Sequence, residues 1–345
     1  MSQSAWGDQE TQYFYSLTPD RVLDAVERSL GVRCTGRSLA HASMENRVYE
    51  LELDLGDEAR PKNKFDRELI VKFYRPGRWS LEQILEEHSF LHALQEDEIP
   101  VVAPKLFLDG KSVHRLQDVA IYYAVFPKVG GRSPQELTRP DLEHIGRLLA
   151  RMHNVGAQRK VAHRLTLSPE LYLNKSLAYL REQKLIPEHL VGGFQEFADR
   201  IGPRAEQDFK DVPLLQIHGD CHLGNLLQYG EQFCWVDFDD SVRGPAVQDI
   251  WLLLPGRDAH AKHMLHYLLR AYEQMRPFPW ESLRLIESLR ALRLLHFASW
   301  IGHRRDDPAF VRAFPDYGTE RYWQQLLYDL KEQEHYILQE SNFWL

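Results

Sequence analysis

The chain has 345 residues, of which 42 are Lys or Arg and 50 are Asp or Glu, so its formal net charge is −8. With 43% hydrophobic and 27% charged residues, its composition is typical of a chain that buries a core, which excludes disordered, collagen-like and disulfide-stapled proteins. At roughly 100–200 residues per domain, the length predicts two domains or lobes. Nucleic acid is not an expected partner, because phosphate contacts require clustered Lys and Arg.

Cysteine usage and hydropathy indicate the compartment. The cysteines Cys34, Cys221 and Cys234 show no CxxC spacing, so the sequence predicts neither a disulfide framework nor a cysteine-rich zinc site. The N-terminal residues lack a basic stretch followed by an apolar one. The longest apolar run, residues 119–127, is far shorter than the ~20 residues of a membrane helix. We expect a cytoplasmic protein without a membrane partner, and we expect it to be a monomer.

The first part of the chain carries strand signals and one strong helix signal. Alternating apolar residues from Val48 to Leu53 and an apolar segment at residues 68–74 predict two strands joined by a polar hairpin loop. Ser80, with Gln83 three positions later, forms a capping box that begins a predicted helix. Residues 119–126 predict a further strand.

The remainder of the chain is predominantly helical, with two short strands. Residues 141–153 and 282–301 carry apolar side chains at helical spacing, whereas residues 214–217 and 233–236 are short apolar strands that run into acidic residues. The sequence therefore predicts an α+β fold. A small β-rich N-terminal lobe would comprise residues 1–127, and a larger, mostly helical C-terminal lobe would comprise residues 128–345.

Polar residues follow the two short strands in a fixed order. Asp220 and Asn225 come after the first strand, and Asp237 comes after the second. Each of them alone is explained as a turn or capping residue. Together they are the groups that phosphoryl transfer needs: one carboxylate accepts the proton of the attacking hydroxyl, while an amide oxygen and a second carboxylate hold Mg²⁺ on the nucleotide phosphates. The ordered set therefore indicates phosphoryl transfer.

A lysine upstream fits the same chemistry. Lys72 lies in an apolar strand, where burial of its charge is costly unless the ammonium is paired or binds phosphate. The following helix offers two partners, Glu86 and Glu87, and the apolar face of the helix favours Glu87. The alternative is an edge-strand lysine whose charged end reaches solvent, with two ordinary surface glutamates.

Several motifs resemble those of a known group of kinases. Residues 218–225 (HGDCHLGN) and 236–240 (VDFDD), with Asp249 beyond them, resemble the phosphotransferase signature of the aminoglycoside and choline kinase-like superfamily. More closely, the sequence is similar to the bacterial stress response kinase A family of Ser/Thr protein kinases. The resemblance extends over nearly the whole chain, through residues 45–49, 71–76, 84–88, 125–127, 130–132 and 244–249. It implies a bilobal protein-kinase-like fold, with a nucleotide-binding first lobe and a catalytic, acceptor-binding second lobe.

The resemblance also implies roles for the residues identified above. Asp220 would be the catalytic base. Asp237 would also be catalytic and would hold Mg²⁺ together with Asn225. Lys72 and Glu87 would orient the phosphates of ATP, the phosphate donor.

Further roles follow only from the resemblance. Ser43 would contact the ATP phosphates, and the backbone from Val125 to Pro127 would meet the adenine as a hinge. Asp249 would brace the catalytic loop, and His218 would pack within that loop.

The sequence departs from ordinary protein kinases at two places. Residues 41–51 contain no glycine, so Ser43 and backbone N–H groups would replace a glycine-rich phosphate loop. The motif Asp237-Phe-Asp239 stands in place of DFG, and the segment from there to Asp249 is too short for a long activation loop. Switching by activation-loop phosphorylation is therefore not expected.

Zinc binding is an alternative for two groups of residues. The first group consists of His260, His263 and His266. Its spacing drifts around a helix and no carboxylate completes it, so we interpret it as a solvated helix face. The second group consists of His218, Cys221 and His222. A zinc ion there would make the chain a metal-dependent hydrolase, which leaves Lys72 without a role.

The expected function is ATP- and Mg²⁺-dependent phosphoryl transfer to serine or threonine hydroxyls of proteins, the chain itself included. A part in bacterial stress response is implied by the resemblance alone. The alternatives are a small-molecule kinase acting on an amino alcohol, homoserine or an aminoglycoside-like compound, and a nucleotide-binding module without catalysis. Arginines in the acceptor region disfavour a cationic substrate unless they simply face solvent; they are Arg290, Arg293, Arg304 and Arg305.

Overall fold

A computed structural model describes residues 14, 16–41, 43–56, 63, 65–339, 343 and 344. The chain divides into two units: unit 1 is Met1–Pro134 with Gly224–Asp239, and unit 2 is Gln135–Leu223 with Asp240–Leu345. The sequence-based boundary lies between residues 127 and 128. In the structure, unit 1 extends to Pro134 and also includes the later segment Gly224–Asp239.

The described part of the chain contains the following elements. The strands are β1 (Cys34–His41), β2 (Arg47–Leu53), β3 (Glu68–Phe73), β4 (His114–Arg115), β5 (Tyr122–Pro127), β6 (Leu214–Ile217), β7 (Leu226–Tyr229), β8 (Gln232–Trp235) and β9 (Val242–Pro245). The helices are α1 (Pro19–Leu30), α2 (Leu81–Glu96), α3 (Arg139–Ala157), α4 (Lys175–Glu182), α5 (Glu188–Phe209), α6 (Gln248–Trp251), α7 (Ala259–Tyr272), α8 (Leu285–Gly302), α9 (Pro308–Ala313) and α10 (Glu320–Leu338).

Unit 1 is built on a five-stranded antiparallel sheet in the order β1-β2-β3-β5-β4. Successive side chains of a strand point to opposite faces. In β3, Val71 and Phe73 pack with Val26 of α1 in one apolar cluster. Ile70 and Lys72, on the other face, line a cavity. The apolar segment that predicted this strand therefore has two faces, and Lys72 lies on the face away from the main core.

Helix α2 confirms the predicted capping box. Ser80 Oγ accepts a hydrogen bond from Gln83 N, and the Gln83 side chain accepts one from Ser80 N. Ile84, Leu91 and Leu94 are buried along one stripe of the helix, as their spacing predicts. The third predicted strand is also present, although it begins at Tyr122 instead of residue 119.

The β7–β8 hairpin belongs to unit 1 although it lies far along the chain. Trp235 N donates a hydrogen bond to Pro100 O at 3.0 Å. Arg132 and Gln228 exchange backbone hydrogen bonds of 2.9 and 3.1 Å. Trp235 is completely buried. These contacts explain why unit 1 takes in residues from Gly224 to Asp239.

Unit 2 is mostly helical. Helices α4, α5, α8 and α10 share an apolar core, to which Phe194, Phe197, Leu295 and Trp323 belong. Helix α3 packs against α7, and β6 pairs with β9 in a two-stranded antiparallel sheet. No helix within the described ranges has the length and apolar character needed to cross a bilayer.

Candidate functional site

A cavity of about 480 Å³ opens in unit 1. Part of its wall is apolar, with Val48, Ile70, Phe126, Leu227 and Val236. The rest of its wall includes polar and charged side chains, Ser43, Lys72, Glu87 and Asp237. The sheet, helix α2 and the β7–β8 hairpin therefore supply one pocket that joins an apolar surface to a charged one.

Two carboxylates hold Lys72 inside this cavity. Lys72 Nζ lies 3.2 Å from Asp237 Oδ1 and 3.0 Å from Asp239 Oδ1. Burial alone would lower the pKa of Lys72, but the charges of Asp239, Asp237 and Glu87 raise it well above its ordinary value. The ammonium is therefore retained although the side chain is buried.

The structure distinguishes the two glutamates that the sequence left open as partners of Lys72. Glu87 is buried on the stripe of Ile84 and Leu91, lines the cavity and acts electrostatically on Lys72. Glu86 is half-buried, one position off that stripe. The geometry therefore favours Glu87, as the apolar face of the helix indicated.

Asp239 is a site residue that the sequence did not identify. Its carboxylate is buried and, besides Lys72, contacts Arg78 Nη1. Its Oδ2 also accepts a hydrogen bond of 3.1 Å from Asn46 Nδ2. The available signal was the second acid of the Asp237-Phe-Asp239 motif, but burial is what separates its role from that of Asp237.

Asn225 and Asp237 lie at the same end of the β7–β8 hairpin. Leu226 pairs with Trp235 in antiparallel register, and Val236 N donates a hydrogen bond of 3.0 Å to Asn225 O. Asp237 adopts a left-handed backbone conformation with φ 60°, which Asp tolerates better than most residues. Amide and carboxylate oxygens are the ligands that Mg²⁺ prefers, so both residue types suit such an ion, and Asp237 is the one of the two that lines the cavity.

The remaining unit 1 predictions concern the phosphate loop and the hinge. Ser43, in the connection between β1 and β2, lines the cavity as expected from the resemblance. At β5, Phe126 and Pro127 line it too. Val125 points into the core of the sheet, and its carbonyl accepts a hydrogen bond of 2.7 Å from Lys105 N.

Asp220 belongs to unit 2, just after β6. Its Oδ1 lies 2.8 Å from Arg293 Nη2, and its Oδ2 lies 3.2 Å from His222 Nε2. Burial alone would raise the pKa of Asp220, but the hydrogen bond from His222 and the charge of Arg293 hold it below its usual value. Asp220 is therefore ionised at neutral pH, as a proton acceptor must be.

A buried carboxylate braces the loop that carries Asp220. Asp249 accepts hydrogen bonds of 2.9 Å from His218 N and 2.8 Å from Gly219 N. Gly219 has φ +85°, and a Cβ there would lie 2.4 Å from Asp240 O, so only glycine fits. His218 is buried, and its Nδ1 accepts from Asp220 N at 3.3 Å. The structural roles predicted for Asp249 and His218 are confirmed.

The two histidine groups do not gain support as zinc sites. His260, His263 and His266 are all exposed on α7, which agrees with a solvated helix face. Cys221 is completely buried, and burial raises the pKa of its thiol well above the ordinary value. Within the described residues, no group of three or more His, Cys, Asp or Glu is arranged to hold a metal ion.

A second cavity, of about 460 Å³, opens in unit 2. Three arginines line it, Arg257, Arg290 and Arg293, and the last of these also contacts Asp220. The other two arginines named in the sequence analysis, Arg304 and Arg305, are not among its lining residues. Arg304 is buried and donates a hydrogen bond to Trp300 O. The cavity therefore adjoins the candidate base.

Comparisons with known proteins agree with this geometry. Residues 39–286 match the phosphotransferase enzyme family, APH. The protein named stress response kinase A from Escherichia coli strain K12 is 39% identical over 312 residues, which cover 90% of each chain. Serine/threonine protein kinase RdoA from Salmonella typhimurium strain LT2 is 36% identical over 313 residues, 90% of this chain and 91% of that protein. This chain therefore belongs to the phosphotransferase enzyme family, as a member of its stress response kinase A group.

Solved structures share the fold. Amicoumacin kinase hAmiN in complex with AMP-PNP, Ca²⁺ and Ami has a TM-score of 0.70 at 20% identity, covering 93% of this chain and 96% of that one. The microcompartment-associated aminopropanol kinase has a TM-score of 0.68 at 18% identity, covering 95% and 99%. The predicted α+β, kinase-like fold, with a β-rich first part and a helical second part, is confirmed.

Proposed function

We propose that the chain transfers the terminal phosphoryl group of ATP·Mg²⁺ to serine and threonine hydroxyls of proteins, including its own, within a bacterial stress response. The observation that carries the proposal is the cavity of unit 1, where Lys72, Glu87 and Asp237 share a wall with apolar residues. Such a pocket suits a ligand with a planar apolar base and a charged phosphate chain. The names of the relatives support the stress-response context.

Each end of ATP meets matching residues of this cavity. The apolar wall near Phe126 and Pro127 would cover the adenine, and Ser43 and Lys72 would contact the phosphates. Asn225 and Asp237 would hold Mg²⁺, which supplies charge neutralisation at the phosphate oxygens. Lys72 would exchange its contact with Asp237 for phosphate oxygens while Asp239 keeps it in place.

Asp220 would act as the general base. It is ionised, and its two oxygens are positioned by His222 and Arg293. The carboxylate would accept the proton of the acceptor hydroxyl as that oxygen attacks phosphorus, while ADP leaves with the electrons of the broken P–O bond.

The protein acceptor is supported by two observations. One relative is named a serine/threonine protein kinase. The cavity reached from Asp220 through Arg293 is lined by three arginines, Arg257, Arg290 and Arg293, against two acids, so its excess of positive charge would disfavour a cationic amino alcohol or aminoglycoside. The alternative, a small-molecule kinase for an amino alcohol, homoserine or an aminoglycoside-like compound, would use the same groups on ATP.

The test is phosphate transfer from γ-labelled ATP. The purified protein is incubated alone, then with a panel of proteins, and then with amino alcohols, homoserine and aminoglycosides. We expect label on phosphoserine or phosphothreonine of protein, and far slower labelling with the Asp220→Asn variant. Label that appears only on the small molecules would contradict the protein-kinase assignment and support the alternative.

A further inference from the structure

The arginine-lined cavity of unit 2 is linked to the candidate base, Asp220, through Arg293, and it is large enough to hold a side chain of the acceptor. Its volume is about 460 Å³, and Trp251, Leu294 and Phe297 supply apolar parts of the wall. Arg293 lines the cavity and places its Nη2 2.8 Å from Asp220 Oδ1. An occupant that contacts Arg293 is therefore one side chain away from the candidate base.

The three arginines differ in how their charges are compensated. Arg257 Nε lies 2.8 Å from Glu287 Oε2, and Arg293 is paired with Asp220. The guanidinium of Arg290 instead lies 5.0 Å over the ring of Trp251, and its Nη2 donates a long hydrogen bond of 3.4 Å to Gly256 O.

Arg290 is also partly desolvated. Its Nε is buried, and among the residues that the structure describes no acceptor meets it. Burial lowers the pKa of Arg290, Glu287 opposes this shift, and Arg257 adds to it. A half-buried guanidinium with donors to spare is a binding group for a carboxylate or phosphate, to which it can donate two parallel hydrogen bonds.

Acidic residues on the α10 side of the cavity restrict where an anion can lie. Asp329 accepts a hydrogen bond of 2.8 Å from Gln325 Nε2, and Glu332 accepts one of 3.4 Å from Tyr336 Oη. Their negative charges disfavour an anion beside α10. An anion is therefore directed to the α8 side, where Arg290 and Arg293 are one helical turn apart.

We propose that this cavity recognises an acidic side chain of the acceptor polypeptide, close in sequence to the serine or threonine that is phosphorylated. The inference rests on the proposed protein-kinase function. Arg290 and Arg293 bind the carboxylate. Arg293 contacts Asp220, and Arg290 lies one helical turn from Arg293. Because an extended chain advances ~3.3 Å per residue, we expect the acidic residue within about three positions of the hydroxyl.

Binding of that side chain also changes the candidate base. Without an acceptor, Arg293 is held by Asp220. A carboxylate from the acceptor competes for Arg293, which weakens the pair and leaves Asp220 Oδ1 open to the acceptor hydroxyl. Arg293 is thus a positioning residue that links recognition of the acidic residue to exposure of the base.

The experiment uses serine peptides with a single Glu, Gln or Lys placed at each position up to three residues on either side of the serine. The intact protein and ATP are used throughout, and kcat/KM is measured. We expect Glu to exceed Gln by about tenfold at one or more positions, as one charge-assisted contact would give, and Lys to be worst. Equal kcat/KM for Glu and Gln peptides at every position would overturn the inference, and this comparison requires no variant.

A matched pair of variants places the effect in the cavity. In Arg290→Gln, the ratio of Glu to Gln peptides should fall towards one. In Arg270→Gln, which changes an exposed arginine of α7 outside the cavity, the ratio should stay as in the unaltered protein. A ratio that is insensitive to Arg290, or equally reduced by the control, would also overturn the inference.

Failure of the inference and failure of the proposed function give different results. If peptides are phosphorylated regardless of charge, protein phosphorylation stands and the acidic preference is wrong. If no peptide or protein is phosphorylated while serine or homoserine is, the proposed function is wrong, and with it the polypeptide acceptor. An acidic preference that depends on Arg290 supports both.

Discussion

Two acids, two residues apart, have different roles because one is exposed and the other is buried. The side chain of Asp237 is 56% exposed and that of Asp239 is 4% exposed, yet both contact Lys72. Asp237 is therefore available to a metal ion in the cavity. Asp239, which also contacts Arg78, serves to hold Lys72.

This difference predicts that Asp239 matters for stability. Asp239→Asn removes the charge that compensates buried Lys72 and Arg78, and breaking a buried pair costs about 3–5 kcal/mol. We expect a loss of unfolding free energy near the low end, about 3 kcal/mol, because Asp237 and Glu87 still face Lys72. Urea denaturation measures it.

An exposed acid in the β7–β8 turn provides the control. Glu231 is exposed, so Glu231→Gln should change the free energy of unfolding by no more than about 0.5 kcal/mol. Equal effects of the two substitutions would show that burial of Asp239 carries no special energetic role.

Individual site residues could be predicted from sequence where a motif carries them. Asp220, Asn225 and Asp237 stand in a recognisable order, and Lys72 is conspicuous in an apolar strand. The pairing of Asp239 with Lys72, and of Arg293 with Asp220, could not be predicted, because these partners are remote in the chain.

Elements with strong local signals could be predicted, whereas the unit to which one hairpin belongs could not. The periodicity of β3 and the capping box of α2 are local signals, and both elements form as predicted. By position in the sequence, the β7–β8 hairpin falls within the predicted second lobe, but its hydrogen bonds to Pro100 and Arg132 join it to unit 1. Such long-range pairing leaves no periodic signal in a single sequence.

The packing of α3 on α7 gives a prediction for one helix pair. A Cβ at Gly146 would lie 2.2 Å from Leu268 O, so Gly146→Ala forces the two helices apart. Overpacking of this kind costs about 1–3 kcal/mol, and the melting temperature should fall.

A second glycine in a helix serves as the control. Gly192 of α5 is exposed and has open space where a Cβ would project. Gly192→Ala should raise the unfolding free energy by about 0.5–1 kcal/mol, because alanine is the better helix former. Thermal unfolding that shifts both variants in the same direction would contradict the close contact at Gly146.

At the scale of the whole molecule, unit 1 is formed by two separate segments of the chain. The first segment supplies Ser43, Lys72 and Glu87 to the cavity of unit 1, and the second supplies Leu227, Val236 and Asp237. Family motifs spread along the chain made the fold class predictable. The cavity of unit 2 was less predictable, because it depends on how α8 and α10 come together around the arginines.

The most direct test separates ATP binding from turnover in the same preparations. Calorimetry with and without Mg²⁺ is combined with single-turnover phosphate transfer for the unaltered protein, Asp220→Asn and Asp237→Ala. We predict that Asp220→Asn binds ATP normally but transfers phosphate about 10²–10⁴-fold more slowly, and that Asp237→Ala loses the Mg²⁺-dependent part of its ATP affinity. Unchanged transfer by Asp220→Asn, or unchanged Mg²⁺-dependent binding by Asp237→Ala, would contradict the assigned site.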